Sequence, residues 1–362
     1  MTEPQGPPGP PTYGNPYPPQ PPGQYPTQYP QQYYYPPQYY ARPPKPSFPH
    51  DRPRPYHQML RTWDYHWWKP LVGVFAVLIG FVIVSPVVML PILIIGAANQ
   101  PGDFLDNFER MASLEEITPA GMLYLNASIA GAILVTWVII RVLHGMRPRW
   151  LASVMPKLRW NFLMACLGVA VAAIVASFAV GALLPSSPSD TDLGSLNDFT
   201  STTAWLTLII LLTTPFQGAG EEYVFRGYLL QAIGAFVEKP WWRWATITIT
   251  AFLFACAHLQ FDPPVFFDRF AFGFVAAWLA IRTGGLEAGI ALHALNNYVA
   301  FGLALAFGDI SDSLNDPTAS WWAMIATLTQ SVVYAALVVW VAKKMKVQTT
   351  TSPPNSVIEA RA

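Results

Sequence analysis

Long apolar runs joined by short polar connectors dominate the chain. Eight uncharged or nearly uncharged stretches stand out, at 71–97, 121–142, 160–184, 202–217, 243–260, 265–282, 286–307 and 319–342. Most reach the ~20 residues an α-helix needs to cross the hydrocarbon core. The fourth does so only by continuing through Glu221–Arg226. In lipid a segment must satisfy its own backbone polar groups, and these runs lack the period-two alternation of barrel strands, so they predict helices. The expected fold class is all-α: a polytopic membrane helix bundle of about eight transmembrane helices, with a disordered N-terminal tail.

Composition agrees with that pattern. Of 362 residues, 52% are hydrophobic and 12% charged, against roughly 25% charged in soluble domains. Lys and Arg number 21 and Asp and Glu 21, so no basic excess calls for a nucleic-acid partner. The distribution of charge is more informative than its sum. Arg52, Arg54, Arg61 and Lys69 precede the first run, Arg141, Arg147, Arg149, Lys157 and Arg159 separate the second from the third, and Lys343, Lys344 and Lys346 follow the last. Lys239, Arg243 and Arg282 continue this side. The alternate connectors are acidic, with Glu115, Glu116, Asp190, Asp192, Asp262, Asp268, Asp309 and Asp312, and only Arg110 and Arg269 depart from that. Positive loops stay cytoplasmic, so both termini are expected in the cytoplasm. Trp63, Trp67 and Trp68, then Trp241, Trp242 and Trp244, then Trp321 and Trp322 cluster at run boundaries, where indoles anchor to the interface.

Residues 1–58 form a different segment. Twenty of the 36 prolines lie in residues 1–55, amid Gln, Gly and Tyr. No basic stretch followed by an apolar core marks a signal peptide. A cytoplasmic tail with polyproline-II character is expected, serving as a solvated tether or as a docking segment for a partner. Residues 59–346 are expected to be the transmembrane domain and 347–362 a disordered C-terminal tail. Cys166 and Cys256 both fall in apolar runs and read as small buried hydrophobes.

Ionisable groups inside membrane helices are costly and by default mark function. Glu221 and Glu222 sit in such a run, with Arg226 one turn on; His258 and His293 follow in later runs. Glu222 and Arg226 are i and i+4 and share a helix face, so they are expected to pair while Glu221 points into a cavity as a general base toward water. His293 and Asn297 are also i and i+4, and an imidazole with an amide can donate to an oxyanion. Alternatively Glu221, His258 and His293 could hold a divalent metal such as zinc. Each residue also has a structural reading: membrane histidines and asparagines often only bridge helices.

Glu-Glu-x-x-x-Arg at Glu221, Glu222 and Arg226, Phe-x-x-x-His at Phe254 and His258, and His-x-x-x-Asn at His293 and Asn297 together resemble the CPBP family. This is the CAAX protease and bacteriocin-processing group of intramembrane endopeptidases, also called Abi. The resemblance covers about residues 200–305. It implies that Glu221 and His258 activate a water, that His293 and Asn297 stabilise the oxyanion, and that Glu222 and Arg226 support the site. It is compatible with a metalloprotease and with a metal-free glutamate mechanism. Eukaryotic members cut prenylated CAAX proteins. The Pro-Tyr-Gln tail looks bacterial, which points to the plasma membrane and to a membrane-associated peptide or protein substrate. A non-catalytic bacteriocin-immunity or scaffold protein and a proton-coupled transporter are the competing readings, although no inverted repeat favours transport.

One depth argument works against the grouping. With straight helices at 1.5 Å per residue, Glu221, His258 and His293 fall at different heights, so the grouping calls for a break or kink of the fourth span at Pro215, Gly218 or Gly220, for strong tilts, or for a fifth span that starts below the membrane. The orientation carries its own test: a reporter fused after Lys346 should read as cytoplasmic, and an extracytoplasmic signal refutes the topology.

Overall fold

The computed structural model describes residues 49–185, 195–315 and 319–352. Residues 1–48 of the expected tail and 353–362 lie outside the described residues, as does the loop acid pair Asp190 and Asp192. Within the described residues the chain is helical: α1 (Trp68–Ala98), α2 (Phe104–Ala112), α3 (Pro119–Leu143), α4 (Trp160–Gly181), α5 (Ser201–Glu222), α6 (Trp242–Ala257), α7 (Pro263–Thr283), α8 (Glu287–Phe307), α9 (Ile310–Asn315) and α10 (Trp321–Lys344). Only two isolated β-bridges, Pro55 with Thr350 and Ser153 with Gly285, accompany them.

Six of these helices, α1, α3, α4, α7, α8 and α10, are long and apolar enough to cross a membrane. Of the eight expected spans, the two that fall short are α5 and α6, the helices that carry Glu221, Glu222 and His258. Their shortfall has a physical origin: α5 has diluted its apolar face with Thr, Gln and Glu, and α6 has only 16 residues.

The packing is that of a bundle made for lipid. Large apolar side chains such as Val82, Ile83, Val88, Val138, Val175, Leu212 and Phe216 face outward. Small ones, including Ala132, Ala170, Ala173, Ala251, Ala277, Ala288 and Ala291, are buried between helices. Lipid tails remove the hydrophobic incentive to bury leucine, so close backbone approach drives association. α5 is central, packed against α3 and α8, while α8 also meets α4 and α7, and α10 closes on α4 and α7. Gly220 shows the closeness of the α3–α5 contact, since a Cβ there would lie 2.2 Å from the Ile129 carbonyl oxygen.

Of the ways to bring the depths together, a break in α5 is not the one used. Pro215 lies inside an unbroken helix. Proline removes the hydrogen bond to the carbonyl four residues back, here Leu211, and Tyr298 Oη donates to that carbonyl at 2.6 Å. Beyond Glu222 the chain continues as a π-helix, Tyr223–Leu229, and a last α turn, Leu230–Gly234. Glu221 therefore lies near the middle of a long rod, roughly 20 Å from its Gly234 end at 1.5 Å per residue. His258, just past the end of α6, lies roughly 24 Å from that helix's start by the same rule. The two heights agree without a kink.

Residues 49–58 and 347–352 are part of the fold, so the tail boundaries expected at 58 and 347 shift. Tyr56, Met59 and Leu60 are fully buried, and Tyr56 Oη donates to the Leu151 carbonyl. Thr351 N donates to the Arg54 carbonyl at 2.9 Å. Among the boundary tryptophans, Trp242 departs from an outward anchor: its Nε1 donates to the Ile233 carbonyl at 2.8 Å and ties α6 to the end of the α5 rod. The other seven are exposed.

Glu238, in the α5–α6 connection, gathers Arg54 (2.6 Å), Arg52 (2.5 Å) and Arg61 (3.0 Å). The hydrogen bond from Arg54 and the neighbouring guanidiniums hold its carboxyl down to about 2 from an ordinary 4.5. A depressed carboxylate stabilises the fold above its unfolded-state value and loses that contribution as pH falls toward its folded value. Glu238→Gln should therefore lower the unfolding temperature near neutral pH, and the gap to wild type should close as pH drops from about 4.5 toward 2. A gap that stays constant across that window contradicts the assignment.

Candidate active site

The structure brings all six sequence-selected residues together around one cavity of about 430 Å³. Glu221, His258, His293 and Asn297 line it, while Glu222 and Arg226 lie behind its wall.

Glu222 is fully buried, and its Oε1 accepts from Arg226 Nη1 at 2.9 Å and from His293 Nδ1 at 3.0 Å. The i, i+4 pairing expected on α5 is thus present, and it also reaches across to α8. Gly289 makes room for this carboxylate, since a Cβ there would stand 2.3 Å from Glu222 Oε2. The Arg226 guanidinium lies 4.1 Å from the Phe254 ring centroid and 5.6 Å from that of Phe272, an arrangement that stabilises a desolvated cation. Phe254 also meets His258 and His293 edge-on, at 4.7 and 5.9 Å between centroids. One ring thereby sets the height of α6 against both α5 and α8.

Glu221 holds the exposed side of the cluster. Its Oε1 accepts from Gln217 Nε2 at 2.6 Å. Its Oε2 faces two imidazole nitrogens, His258 Nε2 at 3.9 Å and His293 Nε2 at 3.8 Å. Both rings are oriented by their other nitrogen. His258 Nδ1 is 2.9 Å from the Phe254 carbonyl, and a carbonyl only accepts, so Nδ1 carries the proton and Nε2 offers a lone pair. His293 Nδ1 donates to Glu222 by the same logic.

Gln217 was not among the residues selected from sequence. It also accepts from Asn297 Nδ2 at 2.7 Å, so one amide links the base-bearing carboxylate to the asparagine. Its position four residues before Glu221, in an apolar run, was the available signal. A second missed pair lies at the start of α8. Arg159 Nε and Nη2 donate to Glu287 Oε1 and Oε2 at 2.8 and 2.6 Å, and Glu287 is fully buried. This bidentate pair fixes the recessed start of α8, two turns before His293. Asp268 and Arg269, read from sequence as loop charges, sit on α7 and line the cavity.

The same donors bear on the zinc alternative. Among the described residues no three His, Cys, Asp or Glu side chains are placed to hold a metal. Tetrahedral zinc with bonds of ~2.0–2.1 Å would draw its ligand atoms to roughly 3.3 Å apart. The 3.8 and 3.9 Å spans are wider than that, and they admit a water that donates one proton to Glu221 Oε2 and the other to a single imidazole Nε2.

Fold and cluster define a multi-pass membrane protein with a buried carboxylate–histidine site. Residues 203–299 match the family of type II CAAX prenyl endopeptidases, Rce1-like. The chain thus carries a domain of that family, and the matched span holds every residue of the cluster. Among curated proteins, the uncharacterized protein YyaK of Bacillus subtilis (strain 168) is 28% identical over 154 residues, 39% of this chain. The chain spans about half the length of that relative. No solved structure matches.

Removing one member of a buried pair leaves the other charge uncompensated, at a cost of about 3–5 kcal/mol. Glu222→Ala should therefore destabilise the protein by that order in a denaturation series, and Glu222→Gln with Arg226→Met should recover a large part of it. A double variant as unstable as the single one speaks against the pair as the source.

Proposed function

We propose that this protein is an intramembrane endopeptidase that hydrolyses a peptide bond of a membrane-associated protein or peptide. The observation that carries the reading is the convergence of Glu221 Oε2 with the Nε2 atoms of His258 and His293, at 3.9 and 3.8 Å, on the wall of a cavity large enough for a short peptide segment.

Hydrogen-bond supply supports the following roles. Gln217 occupies Glu221 Oε1, which leaves Oε2 to take a proton from water. His258 Nε2, an acceptor, shares that task as general base. The water oxygen attacks the scissile carbonyl carbon, and its proton passes through Glu221 or His258 to the leaving amide nitrogen. The products are a carboxylate and an amine. The oxyanion takes the second N–H of Asn297, since the first is given to Gln217. His293 joins it only as the imidazolium, because its Nδ1–H is already given to Glu222. Glu222 and Arg226 position these groups and do not touch substrate.

The wider reading has eight crossings, with α5 and α6 spanning as a pair that is stabilised by neighbouring helices. Both termini then face the cytoplasm of a bacterial plasma membrane. The protease core lies at about 200–305 within a membrane domain, and the Pro-rich N-terminal segment is left for a partner. The match to a CAAX prenyl endopeptidase family supports a proteolytic reading, and the substrate here is a peptide or protein held at the bilayer.

Purified full-length protein and a lipid-anchored peptide library test this. Glu221→Ala and His258→Ala should each lower kcat about 10²- to 10⁴-fold, and Asn297→Ala about 10²- to 10³-fold, with helicity unchanged. Cleavage that persists in Glu221→Ala defeats the enzymatic reading, and an immunity function that survives it favours the non-catalytic one.

A further inference from the structure

We infer that Arg269 is the carboxylate-binding residue of the substrate site and sets the direction in which a peptide lies in the cavity. The inference rests on the peptidase reading and adds to it a substrate class: peptides with a carboxylate near the cut, at the C-terminus or on an acidic side chain.

Arg269 sits in the second turn of α7, within a candidate span, and an ionisable group there is costly unless it has a task. It lines the same cavity as Glu221, His258 and Asn297, and among the described residues it is the one Lys or Arg of the lining. The other cation nearby, Arg226, is fully buried, lies over the Phe254 ring and donates through Nη1 to Glu222.

Arg269 is far less committed. Its Nη1 meets the adjacent Asp268 at 3.1 Å, with the two side chains 35% and 25% exposed. Such a partly exposed pair stabilises little. Its Nε is buried without a partner. A guanidinium has a planar fork that matches a carboxylate with two parallel hydrogen bonds.

The charges of the cavity then orient the ligand. Glu221 repels a substrate carboxylate from the hydrolytic end, and Arg269 attracts it to the α7 wall in competition with its neighbour Asp268, which lines the cavity beside it. Arg269 and His258 line the same cavity, so the anion site and the reacting water belong to one chamber. A volume of about 430 Å³ lies in the range of small-ligand pockets, so only a short stretch of peptide separates carboxylate from scissile bond.

The test uses the full chain in lipid nanodiscs and one cleaved peptide in three forms: free C-terminal acid, C-terminal amide, and an amide with its acidic side chains also converted to amides. Removing the recognised carboxylate should lower kcat/KM of wild type roughly tenfold or more, mainly through KM. Arg269→Gln should show the same loss on the carboxylate form and no further loss when that carboxylate is removed. Arg269→Lys should restore part of the discrimination, and Asp268→Asn should sharpen it. The form at which discrimination disappears tells a C-terminal carboxylate from a side chain.

Equal cleavage of all three forms by wild type, or an equal loss on all three in Arg269→Gln, overturns the inference and leaves the peptidase reading intact. If wild type cleaves none of them, the peptidase reading has failed. Fluorescence anisotropy of the same labelled peptides then decides the anion site. Carboxylate-dependent binding that Arg269→Gln abolishes supports it, and carboxylate-independent binding overturns it.

Discussion

A charge placed inside an apolar bundle has to be compensated where it stands, and Glu222 does this for two neighbours through a single oxygen. Arg226 on the same rod and His293 on α8 both donate to Oε1. That pairing determines how close α5 and α8 can come, which helps explain why residue 289 is glycine. The face of Phe254 covers the guanidinium and brings α6 to the same height. Three helices far apart in sequence are thus clamped by one ion pair and its aromatic cover. Breaking such a pair from one side leaves a desolvated charge, so the clamp resists piecemeal change.

The reactive side of the cluster is arranged by what the clamp leaves over. His293 spends Nδ1 on Glu222, and His258 spends Nδ1 on a backbone carbonyl, so both rings turn Nε2 toward Glu221. Gln217 takes the other oxygen of Glu221 and one hydrogen of Asn297. The unspent atoms, Oε2, two Nε2 and one N–H, all face the cavity. Orientation by a second hydrogen bond is what keeps such groups ready without reorganisation. The π-helical turn directly after Glu222 falls where functional helices often carry such a feature.

Several elements were legible because their signal is local. The apolar runs give helices at close to the expected limits, and the i, i+4 spacing of Glu222 with Arg226 is realised as an ion pair. The four cavity residues chosen from motif and cost of burial do meet at one cavity. Elsewhere local signals misled. Pro215 suggested a break, yet Tyr298 from α8 satisfies the freed carbonyl and the rod continues. Proline content assigned residues 49–58 to a tail, yet Tyr56 and its neighbours are packed in the core. Asp268 and Arg269 read as loop charges because charge usually marks a connector, whereas here they turn inward on a helix.

Sequence alone determined which segments are helical and apolar, and which polar groups pay a desolvation cost so high that they need partners, because both follow from composition and spacing along one chain. The tertiary structure decided the heights at which those helices meet. Glu221 comes level with His258 only because the rod runs on to Gly234, and His293 joins them only because Arg159 pins the start of α8 through Glu287. Those relations are contacts between residues many turns apart, and no periodicity within a single helix encodes them.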